Sequence, residues 1–119
     1  MLFRSGAGRR DLTQKLSVLS FDLSPDGRQI ALSAVETPGT RDIYMLRADG
    51  TRLRKLTNEH GAMNEDPRWS PDGRLLAFTR REHFGAQADI YVMRADGTDR
   101  QRLTQSPLDD LAPAWQPDG

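Results

Sequence analysis

The chain alternates short apolar runs with clusters of Pro, Gly, Asp and Ser. In one stretch the runs are Pro67-Arg68-Trp69-Ser70, Leu75-Leu76-Ala77-Phe78-Thr79, Ile90-Tyr91-Val92-Met93 and Arg100-Gln101-Arg102-Leu103-Thr104. An earlier stretch matches it with Phe21 to Leu23, Gln29 to Ser33, Ile43 to Leu46 and Leu53 to Thr57. Short β-rich runs between turn clusters predict strands. No stretch keeps apolar residues at i, i+3 and i+4 between helix caps, so helices are not expected. A sheet wet on one side should alternate apolar with polar along each strand. Leu75-Leu76-Ala77-Phe78 and Ile90-Tyr91-Val92-Met93 do not alternate, whereas Arg100-Gln101-Arg102 is polar throughout. Two middle strands covered on both faces and a wet outer strand describe a sheet stacked between neighbours.

The pattern repeats. Ser24-Pro25-Asp26-Gly27-Arg28 returns as Ser70-Pro71-Asp72-Gly73-Arg74, and again as Gln116-Pro117-Asp118-Gly119, at a spacing of 46 residues. Asp42-Ile43-Tyr44 returns as Asp89-Ile90-Tyr91, Arg47-Ala48-Asp49-Gly50-Thr51 as Arg94-Ala95-Asp96-Gly97-Thr98, and Leu56-Thr57 as Leu103-Thr104, all at 47. Ser-Pro-Asp-Gly supplies a fixed φ at Pro and a permissive one at Gly, a tight hairpin. Ala-Asp-Gly-Thr is a second hairpin, since Asp-Gly suits the mirror-image turns that match strand twist. The remaining links are longer. Each unit is therefore expected to be a four-stranded antiparallel meander, and the period lies near the ~40–45 residues of propeller blades.

At this point the sequence resembles a known family. Pro67-Arg68-Trp69-Ser70-Pro71-Asp72-Gly73, with Ala77-Phe78-Thr79, Asp89-Ile90-Tyr91-Val92-Met93, Ala95-Asp96-Gly97-Thr98 and Arg102-Leu103-Thr104, is similar to the TolB-like, WD-repeat-like β-propeller repeat. The likeness covers roughly residues 10 to 119 and implies an all-β fold of propeller blades. The first unit departs at Leu23, where the family usually has Trp, so its inner strand is expected to pack less firmly.

The repeat divides the chain. Residues 1–8 are expected to be a disordered N-terminal segment. Residues 9–19 read as the outer strand and link of a preceding blade, because Asp11-Leu12-Thr13 matches the closing Leu-Thr word. Residues 20–57 form a first complete blade and 58–104 a link and second blade. Residues 105–119 form a link and the inner strand of a following blade, on the match at Ala112-Pro113-Ala114-Trp115. Two blades cannot close a ring, which takes at least four. The expectation is a partial propeller, a piece of a larger one. The alternative is a homo-oligomer in which several copies complete one ring and cover outer faces bearing Ile30, Leu32, Phe78 and Tyr91.

Charge adds little to this picture. The 17 basic and 17 acidic residues balance, which gives no electrostatic reason to expect nucleic acid. The arginines are scattered, with only Arg9-Arg10 and Arg80-Arg81 adjacent, as on a solvated surface. There is no Cys, which excludes disulfides and leaves the redox compartment open. No apolar stretch approaches the ~20 residues of a membrane span, so membrane insertion is not expected. The start, MLFRSGAGRR, lacks the apolar region of a secretory signal, as expected either of a cytoplasmic protein or of a piece of a longer one.

Strand direction predicts where function sits. The two hairpin turns share one rim, and the links at 34–41, 58–66, 81–88 and 105–111 share the other. These are longer and differ between repeats, as binding loops do. The expected function is a non-catalytic scaffold that presents this rim to a protein or peptide, with candidate contacts His60, Asn64, Glu65, Asp66, Arg81, His83 and Phe84. Phe84, close after Arg81 and His83, either anchors a partner or folds back on its own blade. The resemblance implies protein binding in the bacterial envelope, in the periplasm, where TolB works with a peptidoglycan-associated lipoprotein. Similar propellers gate prolyl-oligopeptidase-type hydrolases, but the chain has no Gly-x-Ser-x-Gly nucleophile turn, so any catalytic domain would lie outside it. Glu59, His60, Glu65 and Asp66, or Glu82 and His83, lack the spacing of a zinc helix or an EF-hand loop. No metal or cofactor is expected. Asp42 and Asp89, at one place in the repeat, are expected to bond nearby backbone.

Overall fold

The structure is a computed structural model that describes residues 16–36 and 38–103. The expected segments at 1–8, Asp11 to Thr13, Thr104, 105–111 and Ala112 to Trp115 lie outside the described residues. Eight strands form two antiparallel sheets. The first holds β1 (Ser17–Leu23), β2 (Gln29–Val35), β3 (Asp42–Arg47) and β4 (Arg54–Lys55), in that spatial order. The second holds β5 (Met63–Trp69), β6 (Leu75–Arg81), β7 (Asp89–Arg94) and β8 (Gln101–Arg102). Each sheet is a meander in which sequence neighbours pair, as the two short hairpins per repeat require.

The strands are not bounded where the apolar pattern alone put them. β1 begins at Ser17, ahead of the blade boundary expected at 20, and β5 begins at Met63, inside the link expected over 58–66. The outer strands shrink to two exposed residues each.

The Ser-Pro-Asp-Gly turn is held by its own side chains. The Gly73 N–H donates to the Ser70 carbonyl at 2.9 Å, and the Ser70 hydroxyl donates to Asp72 Oδ1 at 2.6 Å. The same carboxylate accepts from the Arg74 N–H at 3.0 Å, and Ser70 Oγ accepts from the Leu75 N–H at 3.0 Å. Ser24 and Asp26 make the same set in the first blade. The serine hydroxyl, ahead of the backbone N–H, holds Asp72 below the usual carboxylate range. Gly73 sits at φ +75°, in open space apart from Pro25 at 3.7 Å. Strain at φ rather than crowding therefore governs substitution there. Gly73→Ala is expected to lower stability by roughly 1–2 kcal/mol; an unchanged melting temperature contradicts this turn geometry.

The Ala-Asp-Gly-Thr turns differ from the expected mirror-image type. Only Gly50 and Gly97 take positive φ within them, at 88° and 91°, while Asp49 and Asp96 do not. The Gly50 N–H donates to the Arg47 carbonyl, and the Arg47 N–H to the Thr51 carbonyl. This is a type I turn closed by a left-handed glycine, the three-residue hairpin solution. Asp49 accepts from the Thr51 N–H at 3.0 Å, which explains the Thr in the word.

The two sheets stack face to face. Ala31, Ile43 and Met45 of the first pack with Trp69, Leu76, Phe78 and Met93 of the second in one buried cluster. Hydrogen bonds fix the register of the stack. Ser33 Oγ donates to the Asn64 carbonyl at 2.8 Å, and Arg41 forms an isolated parallel bridge with Met63. Trp69 gives its backbone N–H to Asp22 Oδ2 at 2.9 Å and its indole N–H to the Asp22 carbonyl at 3.0 Å. The expectation for the outer faces fails at Ile30, Leu32 and Phe78, which are buried, and Tyr91 is half-buried. Phe78 lies on the face turned toward the first sheet. Ile30 and Leu32 belong to a second cluster with Ala34, Tyr44 and Leu46, against which Leu16 and Leu53 pack. Apolar exposure lies instead on β1: Phe21 is 54% and Leu23 50% exposed, against 6% for Trp69 at the equivalent place. The inner strand of the first blade is the less firmly packed one.

Asp42 acts on the backbone through a relay. Its Oδ1 accepts from the Thr57 hydroxyl at 2.7 Å, and Thr57 Oγ1 accepts from the Ile43 N–H at 3.0 Å.

Candidate functional site

The rim opposite the hairpins carries the links 56–62 and 82–88. The second is a tight excursion between β6 and β7. Its chain reverses where the Ala86 N–H donates to the His83 carbonyl at 3.0 Å and Gly85 takes φ +89°. The Arg81 guanidinium donates to the Ala86 carbonyl and braces the loop from its stem. Held in this way, Phe84 projects into solvent and is 81% exposed. It does not fold back on its blade. His83, Glu82 and Gly85 are exposed around it.

Arg80 ties the two links together from below. It lies buried at the end of β6, with Nε on Glu82 at 3.1 Å and Nη1 on Glu59 at 3.0 Å. Nη1 also donates to Asn64 Oδ1 at 3.1 Å, and the guanidinium sits 5.8 Å from the Tyr91 ring centroid. Arg100 grips the same Glu59 with two bonds, at 2.9 and 3.0 Å. The Arg100 hydrogen bond, followed by the charges of Arg100 and Arg80, holds Glu59 below the usual carboxylate range despite its partial burial. A buried cation paired with groups of several elements, as Arg80 is, stiffens what it connects. Glu59, Arg80 and Arg100 thus set the geometry of the rim. The sequence pattern singled out Glu59 only as a metal candidate and neither arginine, although an Arg closing an otherwise apolar strand, where the first blade has Ala34, was a visible signal.

The seven candidate residues therefore separate. His60 and His83 are exposed on the two links, Phe84 is exposed beside His83 in the chain, and half-buried Arg81 braces their loop. Asn64, Glu65 and Asp66 do not lie in a link at all, but in β5. Asn64 is fully buried: its amide donates to the Arg41 carbonyl at 3.2 Å and its backbone N–H to the same oxygen at 2.8 Å. Glu65 is ion-paired with Arg41 across the two blades. Asp66 sits at φ +54° in the bulge that shifts register between Glu65 and Arg68. These three build the stack. His60, Glu82, His83 and Phe84 are among the exposed residues of the rim. Among the described residues no group of three His, Asp or Glu side chains converges as metal ligands would, and no helix is long and apolar enough to cross a membrane.

Comparison with known proteins places this geometry. No family model matches the chain. It is 40% identical over 62 residues to the Tol-Pal system protein TolB of Alcanivorax borkumensis, covering 52% of this chain and 14% of that protein. It is 33% identical over 117 residues to the uncharacterized peptidase YuxL of Bacillus subtilis, covering 92% of this chain and 17% of that one. The solved structure of putative TolB from Agrobacterium tumefaciens superposes with a TM-score of 0.78 at 32% identity, covering 90% of this chain and 37% of the other. The chain thus spans about one sixth of the length of these two curated relatives. The shared period, the paired meanders and these likenesses agree: the chain is built of TolB-like β-propeller repeats.

Proposed function

We propose that this chain is a non-catalytic propeller scaffold that binds a protein or peptide on its long-link rim, in the periplasm. The carrying observation is Phe84, an aromatic side chain held in solvent on a braced loop. An exposed ring whose loop is already ordered anchors a partner at low entropic cost. Likeness to a Tol-Pal system protein supports a protein as the partner, and the peptidoglycan-associated lipoprotein is the first to test. Calorimetry with its soluble domain is expected to show saturable binding, weakened by roughly tenfold or more in Phe84→Ala. Equal affinity in that variant rules out this rim.

Likeness to a peptidase over most of the chain favours one other reading, the gating propeller of a larger hydrolase. The nucleophile would then belong to a further domain of a longer protein. A Gly-x-Ser-x-Gly turn encoded downstream in the same reading frame decides for it.

A further inference from the structure

The arginines that look scattered in sequence converge on the opposite rim. Arg28, Arg47, Arg52 and Arg54 line a cavity of about 730 Å³ at the hairpin end of the first blade, where Asp26 and Asp49 are the acidic lining residues. Two antiparallel pairings bring them there. Gln29 faces Arg47 across β2 and β3, and Met45 faces Arg54 across β3 and β4, so Arg47 and Arg54 share one sheet face. Arg28 and Arg52 close the ends from the two turns, Arg52 in a left-handed conformation at φ +59°. None of the four makes an ion pair among the described residues. Two carboxylates line the same groove, Asp26, bonded by Ser24 and the Arg28 N–H, and Asp49, bonded by Thr51, and they offset only part of the positive charge.

The second blade provides an internal control, because the repeat places the same backbone there with different charges. Arg52 corresponds to Asp99, also left-handed at φ +56°, and Arg54 corresponds to Gln101. Arg94, the counterpart of Arg47, is neutralised by Asp99 at 2.6 Å. The second blade thus satisfies its own arginine within one turn, while the first gathers four arginines against two carboxylates, an excess of positive charge among the described residues. Like charges held together repel, so the arrangement is one an anionic ligand stabilises.

We propose that this groove binds an acidic peptide segment, whose carboxylates pair with Arg28, Arg47, Arg52 and Arg54. Guanidinium and carboxylate match as bidentate partners. The volume falls within the roughly 300–1,000 Å³ of ligand sites and accommodates several carboxylates rather than one. Arg54 lies on β4, the last strand of its sheet among the described residues, so an extended segment has an open edge to run along. Alternate side chains of such a segment point the same way, which brings successive acidic residues to one wall.

The full chain is titrated with fluorescein-labelled hexaglutamate, and anisotropy is read at rising salt. Saturable binding is expected, weakening as salt screens the charges. Arg52→Asp with Arg54→Gln copies what the second blade already carries, so the fold is retained. It is expected to lower affinity by roughly tenfold or more. The reverse pair, Asp99→Arg with Gln101→Arg, is expected to raise the stoichiometry from one peptide to two. Unchanged affinity in the first variant overturns the proposal. So does the absence of peptide binding alongside tight, variant-sensitive binding of inorganic pyrophosphate, which would assign the groove to phosphate.

Discussion

Trp69→Ala is expected to lower the stability of the chain by roughly 3–5 kcal/mol, enough to consume much of the margin of a small domain. Three losses combine. The indole leaves a cavity among Ala31, Met45, Leu76 and Phe78, on a surface where both blades meet. Its N–H no longer bonds the Asp22 carbonyl, which stays part-buried without that donor. The backbone bond from Trp69 to the Asp22 carboxylate weakens as the inner strand loosens. Leu23→Ala is the matched control, at the same place in the other blade but half exposed. It is expected to cost under about 1 kcal/mol. Thermal unfolding of the two variants checks the contrast. Similar losses would mean that the two inner strands are equally packed, against the asymmetry described above.

Asn64→Ala is expected to be the second-largest loss, roughly 2–3 kcal/mol, without a change in rim binding. Its amide donates to the Arg41 carbonyl and to Thr57 Oγ1, and its oxygen accepts from Arg80. Removing it takes a partner from the buried Arg80 guanidinium, which cannot recover water there, and the second of two donors from the Arg41 carbonyl, which keeps the Asn64 backbone N–H. His60→Ala, on the neighbouring link and exposed, is expected to leave stability unchanged. Urea unfolding separates the two. A stable Asn64→Ala chain with impaired partner binding would return Asn64 to the recognition surface.

Asn64 also shows what the sequence could not disclose. The repeat, the meander and the stacking were legible because turn words and doubly apolar strands are local signals. The early part of β5, Met63-Asn64-Glu65-Asp66, has no such signal. Its Asn and Glu are satisfied by Arg41, Thr57 and Arg80, residues of other elements, so a polar run reads as a link until those partners are placed. The bulge at Asp66 further breaks the period-two pattern. Arg28 and Arg54 look like separate surface charges for a similar reason, since only the pairing of β2, β3 and β4 brings them to one groove. Phe84 was the opposite case. Its loop was recognisable, and whether the ring turned outward depended on one brace from Arg81.

The stacking of the two meanders is tested most directly by nuclear Overhauser contacts in solution. Cross-peaks are predicted between the Trp69 indole N–H and Asp22, and between the backbone of Arg41 and that of Met63 and Asn64. Contacts confined within residues 17–55 and within 63–102, with none joining the two sets, would contradict it.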